Sequence, residues 1–200
     1  MPAPLSFEVD YSSIDSLHNW VQQMDLYCVS EKAIAGIGTS FIAGCFFGSF
    51  ILPRLADIYG RKKLFLAGLT IFILVVVLSL FCTNLKFAYF LLFMGGISET
   101  GRYYVAYVYL IEFVPARYQN NAGLYIFMVF GFAMTFIAMQ FWFIIKYWQI
   151  NAVWALTLAI TSFVLCYAWL PESPRFLYSR KRFQSAAAVM ARICETNTSE

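Results

Sequence analysis

Charged residues punctuate this chain so sparsely that the gaps between them define its elements. There are 21 uncharged residues between Lys32 and Arg54, 22 between Lys63 and Lys86, 28 between Arg117 and Lys146, and 25 between Lys146 and Glu172. Each gap exceeds the run of about 18 apolar residues that marks a helix able to cross the hydrocarbon slab. The stretch from Phe87 to Glu112 is 26 residues long and opens in the same way, but it carries Glu99 and Arg102 near its middle. It predicts a fifth span with charges in its interior. A β-barrel would alternate over segments of about 10 residues, a pattern the chain lacks. The expected fold is all-α and integral to the membrane: a leader over 1–30, five spans over 31–171, and a tail over 172–200.

The leader holds Glu8, Asp10, Asp15, His18 and Asp25 without a useful apolar run, and no basic stretch precedes one as in a signal peptide. It reads as a polar loop, with His18, the only histidine, at its surface. In the tail, Phe183, Ala187, Met190, Ala191 and Cys194 share one helical face, which predicts a short amphipathic helix on the inner membrane surface. Trp142, Tyr147, Trp148, Trp154 and Trp169 fall near the predicted membrane faces, as in an aromatic belt.

Composition agrees. Of the 200 residues, 61% are hydrophobic and 12% charged, against about 25% charged in an average soluble domain. That excludes disorder and an ordinary cytosolic enzyme. The net charge of +3 is too small to call for nucleic acid as a partner. The five cysteines show no CxxC and no metal-ligand spacing. No P-loop, HExxH or GxSxG occurs, so neither catalysis nor a metal nor a cofactor is expected. Basic residues are unevenly divided: ten (Arg54, Arg61, Lys62, Lys63, Arg117, Arg175, Arg180, Lys181, Arg182 and Arg192) fall on one predicted side and three (Lys32, Lys86 and Lys146) on the other. The positive-inside rule then puts the leader outside and the carboxyl terminus in the cytoplasm. The sequon at Asn197 would face the cytoplasm and stay unmodified.

Glu99 and Arg102 are the sharpest candidates for chemistry. Their i,i+3 spacing puts both on one helix face. An ionisable group at that depth costs at least about 2.5–3.5 kcal/mol unless it is paired or faces water. They read either as a solute or proton-coupling site, with Arg102 the candidate for an anionic group, or as a self-neutralising packing pair. Tyr103 and Tyr107 continue the same neighbourhood, and Gln140, the strongly polar side chain deep in its own span, reads either as a further pathway residue or as a bond to a neighbouring helix. Gly36, Ser40, Gly44 and Gly48 recur every four residues, a stripe that lets another helix approach closely, either inside this bundle or from outside it.

Several stretches carry a family resemblance. Pro53-Arg-Leu-Ala-Asp-Ile-Tyr-Gly-Arg-Lys-Lys63 resembles the G-x-x-x-D-x-x-G-R-[RK] loop of the major facilitator superfamily; Asp57, Gly60, Arg61 and Lys62 match, while Pro53 replaces a glycine and Ile58 a basic residue. Pro171-Glu172-Ser173-Pro174-Arg175-Phe-Leu177 is similar to the P-E-S-P-R-[FW]-L signature of its sugar and organic-ion transporters. Met24-Asp-Leu-Tyr-Cys28 resembles the W-D-L-V-C stretch of organic-cation transporters, and Glu112-Phe-Val-Pro-Ala-Arg117 the E-x-x-P signature, with Gln119 where an arginine is usual. The resemblance implies that the spans are helices two to six of an amino-terminal half, without the first helix or the second half. It implies that Asp57, Gly60, Arg61 and Lys62 form a conformational gate. It further implies secondary, alternating-access transport of a small organic solute such as an organic cation or sugar, in a lipid bilayer and together with a second half or membrane partner. The alternative is a transporter-derived membrane subunit that moves nothing.

Overall fold

The computed structural model describes residue 16, residues 18–143 and residues 146–198, with the side chains of 196–198 excepted; Glu8, Asp10, Asp15 and the Asn197 side chain lie outside the described set. In chain order the helices are α1 (Trp20–Gln23), α2 (Glu31–Tyr59), α3 (Arg61–Leu80), α4 (Leu85–Phe113), α5 (Gln119–Phe143), α6 (Trp148–Trp169), α7 (Pro174–Ser179) and α8 (Phe183–Thr198). Short 3₁₀ turns at Leu26–Cys28 and Ala116–Tyr118 join them. Among the described residues there is no β-strand. Local chemistry sets the ends. The Asn84 side chain accepts from Lys86 N and opens α4. Ser173 accepts from Phe176 N at 3.3 Å and opens α7, with Pro174 in its first turn.

Among the described residues, four segments are long and apolar enough to cross a bilayer: Glu31–Tyr59, Arg61–Leu80, Ala116–Phe143 and Trp148–Trp169. The predicted fifth span, α4, is 29 residues long but is held below that standard of apolarity by Lys86, Glu99, Arg102 and Glu112. Its place in the bundle explains why this is tolerable. Helix α4 lies between α2 and α3 and buries Ala88, Leu91, Gly96, Ser98, Gly101, Val105 and Tyr109. An inner helix meets protein on several sides, so its polar groups need not face lipid.

Glycines make that position possible. A Cβ built on Gly44 would stand 2.0 Å from the Phe93 carbonyl oxygen, and one on Gly96 would stand 2.1 Å from that of Phe41. The small-residue stripe of α2 therefore has its partner inside the bundle: Gly36 meets Tyr89, Gly44 meets Phe93 and Gly96, and Gly48 meets Thr100. Ser40 turns its hydroxyl back to the Gly36 carbonyl at 2.8 Å. A second seam joins α4 to α3, where Gly68 approaches the backbone of Gly101 and Arg102. Ser98 Oγ donates to Gly68 O there at 2.9 Å. Lipid tails are as apolar as leucine, so backbone proximity and hydrogen bonds of this kind hold membrane helices together.

The structure departs from the sequence expectations at two places, the gate loop and the leader. The gate loop is mostly helix: α2 continues through Pro53 to Tyr59, and Gly60 alone separates it from α3. The leader is not simply polar and exposed. Leu26 is buried, Met24 packs on Cys82, Ala88 and Leu91, and His18 stacks on Tyr147 with ring centroids 4.4 Å apart. At the same end the Trp148 indole donates to Gln23 Oε1 at 3.0 Å, while Gln23 Nε2 donates to the carbonyls of Ser79, Leu80 and Cys82. These carbonyls lie at and just beyond the end of α3, where the helix ladder runs out, and Ser79 O also takes the Cys82 N–H at 3.2 Å. In α8, Ala186, Val189 and Ile193 are the shielded positions, whereas Phe183, Ala187, Met190, Ala191 and Cys194 are exposed.

These seams predict a steep contrast between two glycines of one helix. Gly44→Ala will cost about 3 kcal/mol through forced separation of α2 and α4. Gly38→Ala, whose Cβ meets nothing within 4 Å, will be neutral or stabilise by about 0.5–1 kcal/mol. Thermal unfolding in detergent measures both; equal melting temperatures would sink the close-packing account.

Candidate functional site

Two charged sites follow from this packing. The first gathers the ends of α2, α3, α4, α6 and α7. Arg61 Nη2 lies 2.7 Å from Asp57 Oδ1 and 3.1 Å from Glu112 Oε1. Its Nε donates to the same Glu112 oxygen at 3.2 Å, and its Nη1 to the Ala56 carbonyl at 3.0 Å. The Glu112 and Arg61 side chains are 6% and 14% exposed, whereas Asp57 is 67% exposed. Next to them, Lys62 N donates to Glu172 Oε1 at 3.0 Å. Lys62 Nζ caps the carbonyls of Tyr167 and Leu170 at 3.0 and 2.6 Å.

Gly60 has a steric reason to be glycine. Its φ is +108°, and a Cβ there would meet Glu172 Oε2 at 2.5 Å. The left-handed turn and the close carboxylate both require the missing side chain.

Not every predicted member joins this cluster. Arg175 is exposed and takes no part in it; Arg180 does, donating to the Asp57 and Ile58 carbonyls. Arg117 turns to the Tyr118 hydroxyl and ring instead of Glu112. Gln119 donates to the carbonyls of Ile111 and Val114 at 3.1 and 3.2 Å, closing α4 without a charge. Glu112 Oε2 is consequently buried without a hydrogen-bond partner. Sequence reasoning missed Arg180 and also Tyr109, whose hydroxyl donates to the Pro171 carbonyl and ties α4 to the end of α6.

The second site lies midway along α4. Arg102 pairs with Glu99 and stacks its guanidinium 3.8 Å from the Phe72 ring centroid on α3. Its Nε is buried and has no hydrogen-bond partner among the described residues. Arg102 also stands between two cavities. One, of about 360 Å³, is lined by Glu99, Arg102, Phe72, Phe141 and Trp148 among others and is covered at one end by Trp20, Gln23 and Met24. The other, of about 890 Å³, includes Arg102, Tyr103, Tyr107, Tyr109, Ser162 and Cys166. Tyr103 packs edge-on against Phe127 and Phe130 of α5, and Tyr107 reaches over Gly123. Gln140 is buried on α5 but lines neither cavity.

Burial ranks the charges of the first cluster. Arg61→Ala leaves Glu112 buried beside no cation and will cost about 3–5 kcal/mol. Asp57→Asn removes an exposed partner and will cost no more than about 1 kcal/mol. Melting curves of the two variants in the same detergent check the order, and the reverse order would refute it.

The profile of the sugar (and other) transporter family matches residues 8–200. Organic cation transporter 1 of Caenorhabditis elegans is 26% identical over 188 residues, covering 94% of this chain and 32% of the relative. An organic cation transporter-like protein of Drosophila melanogaster is 31% identical over 192 residues, covering 95% and 33%. Human organic cation/carnitine transporter 2 is 26% identical over 191 residues, covering 94% and 34%. The chain thus spans about one third of the length of the curated relatives it matches. A family profile that runs through all five long helices settles the kinship: the chain belongs to the sugar (and other) transporter family, within the organic-cation and sugar branch of the major facilitator superfamily.

Proposed function

We propose that this chain forms part of a secondary, alternating-access transporter for a small organic solute, an organic cation or a sugar by kinship, and that it works together with a second helical half or membrane partner. The observation that carries the reading is Arg102 with Glu99: an acid–base pair inside an apolar bundle, both residues lining one cavity and Arg102 also reaching a second. Pairing reduces the cost of burial, and the open space beside it leaves room for a solute. Glu99, Arg102, Tyr103 and Tyr107 are the solute-pathway residues, with Gln140 a packing residue beside it. Asp57, Gly60, Arg61 and Lys62, with Glu112 and Glu172, hold the gate. The short connection at Gly60 and the buried Arg61–Glu112 pair support a latch that must open as a unit, since one repeat rocks against another in this mechanism.

Sidedness belongs to the same reading. The gate end and the basic tail face the cytoplasm, and α1 faces outside, because arginine and lysine gather at the gate end. Two native cysteines test this directly. Cys28 and Cys194 are both exposed, one beside α1 and one in α8. A membrane-impermeant maleimide will label Cys28 in intact cells and Cys194 only after permeabilisation; the opposite order refutes the assignment.

Transport itself is read by uptake into proteoliposomes, with the chain reconstituted together with whatever membrane protein co-purifies with it. Arg102→Ala will lower solute uptake at least about tenfold, the loss of one buried interaction worth about 1.4 kcal/mol or more, while insertion and the Cys28 labelling pattern stay unchanged. Absence of flux in the parent complex would favour the subunit that moves nothing. Undiminished flux in the variant would remove Arg102 from the pathway.

A further inference from the structure

A third cavity, of about 450 Å³, lies at the gate end but outside the latch, and its lining is unusual in sign. Ile58 and Tyr59 close α2, Lys63 sits in the first turn of α3, Phe176 and Arg180 come from the α7 region, and Arg182 precedes α8. Three cations line it, and no carboxylate does. The nearby acids are already committed: Asp57 and Glu112 to Arg61, and Glu172 to the Lys62 and Ser173 backbone amides. Arg180 is anchored by the carbonyls at the end of α2 and lies over the Phe176 ring, 5.6 Å from its centroid. Among the described residues, the side chains of Lys63 and Arg182 hold neither an ion pair nor a hydrogen bond.

The backbone fixes this arrangement. Lys181 takes a left-handed φ of 59°. Its N–H bonds to Tyr178 O at 2.9 Å, while that of Arg182 bonds to Leu177 O at 3.0 Å. This double closure of α7 is the Schellman geometry, and it sets Arg180 and Arg182 on either side of a rigid turn. Bare cations so close together repel, and an anion would relieve that repulsion. A carboxylate or phosphodiester brings one negative charge, whereas a phosphomonoester brings about 1.5–2 and three acceptor oxygens. Ile58 and Tyr59 are exposed apolar surface on the same rim, at the end of a membrane-crossing helix, where a lipid's glycerol backbone would lie.

We propose that this cavity binds the phosphomonoester headgroup of an anionic membrane lipid, a phosphoinositide, and so pins the α2–α3 turn to α7 at the membrane surface. The site is separate from the solute pathway and does not depend on the chain carrying solute. Basic pockets between spans are suited to such headgroups, which concentrate in the cytoplasmic leaflet.

The test is thermal unfolding of the purified protein in neutral detergent, with phosphatidylinositol 4-phosphate as the probe and phosphatidylcholine as the control. The phosphoinositide will raise the melting temperature by about 5 °C near saturation, and phosphatidylcholine will not. The double variant Lys63→Ala, Arg182→Ala will lose most of that rise while Lys63→Arg, Arg182→Lys keeps it. The comparison uses each variant's own lipid-free melting point, so a general loss of stability does not mimic the result. No rise in the parent protein, an equal rise in the alanine variant, or an equal rise with soluble inositol phosphate each overturns the proposal.

Discussion

The approach of α2 and α3 onto α4 is the constraint on which the other features rest. Gly44 against Gly96 brings two backbones so near that a single methyl group cannot enter, and Gly68 of α3 meets Gly101 more loosely, where an added Cβ would stand 3.2 Å from the backbone. Because α4 is flanked in this way, it can carry four charged residues that would be costly on a lipid-facing helix. Its polar hydroxyls then find partners across the seams, Ser98 on Gly68 O and Thr100 on Cys45 O. Close packing and tolerated charge are thus one property of this helix.

Charge is handled differently at its two depths. At the end of α4, Glu112 and Arg61 are almost wholly removed from solvent, and the guanidinium spends its donors on two carboxylates and a carbonyl. Such a pair contributes specificity more than stability, since desolvation offsets much of its attraction. Halfway along α4, Arg102 keeps one donor unused and lies against an aromatic face between two cavities. Each site keeps one buried polar atom without a partner among the described residues, Glu112 Oε2 in the first and Arg102 Nε in the second, and Arg102 borders two cavities.

The two ends of the bundle are also fastened by unlike means. At the gate end, arginine and lysine donors hold helix-terminal carbonyls: Lys62 on Tyr167 and Leu170, Arg180 on Asp57 and Ile58. At the other end an uncharged glutamine does similar work, Gln23 reaching three carbonyls at the end of α3 and taking the Trp148 indole proton. Removing the charges from one end without removing its hydrogen bonds produces the basic asymmetry along the bundle axis.

By itself the sequence determined the helices, since long charge-free runs admit no other membrane-crossing structure, and it marked Gly60, Arg61, Glu112 and Glu172 through their spacing and their likeness to known signatures. It also located Glu99 and Arg102, because ionisable groups stand out in an apolar run. Partners separated by fifty or more residues were beyond it. That the α2 stripe closes on α4, that Tyr109 reaches Pro171, and that Arg180 and not Arg175 reaches the end of α2 were decided by tertiary packing. The physical reason is one of range. Hydropathy and turn chemistry act over a few residues along the chain, whereas hydrogen bonds and steric fit between helices depend on their rotation about their axes, which only assembly sets.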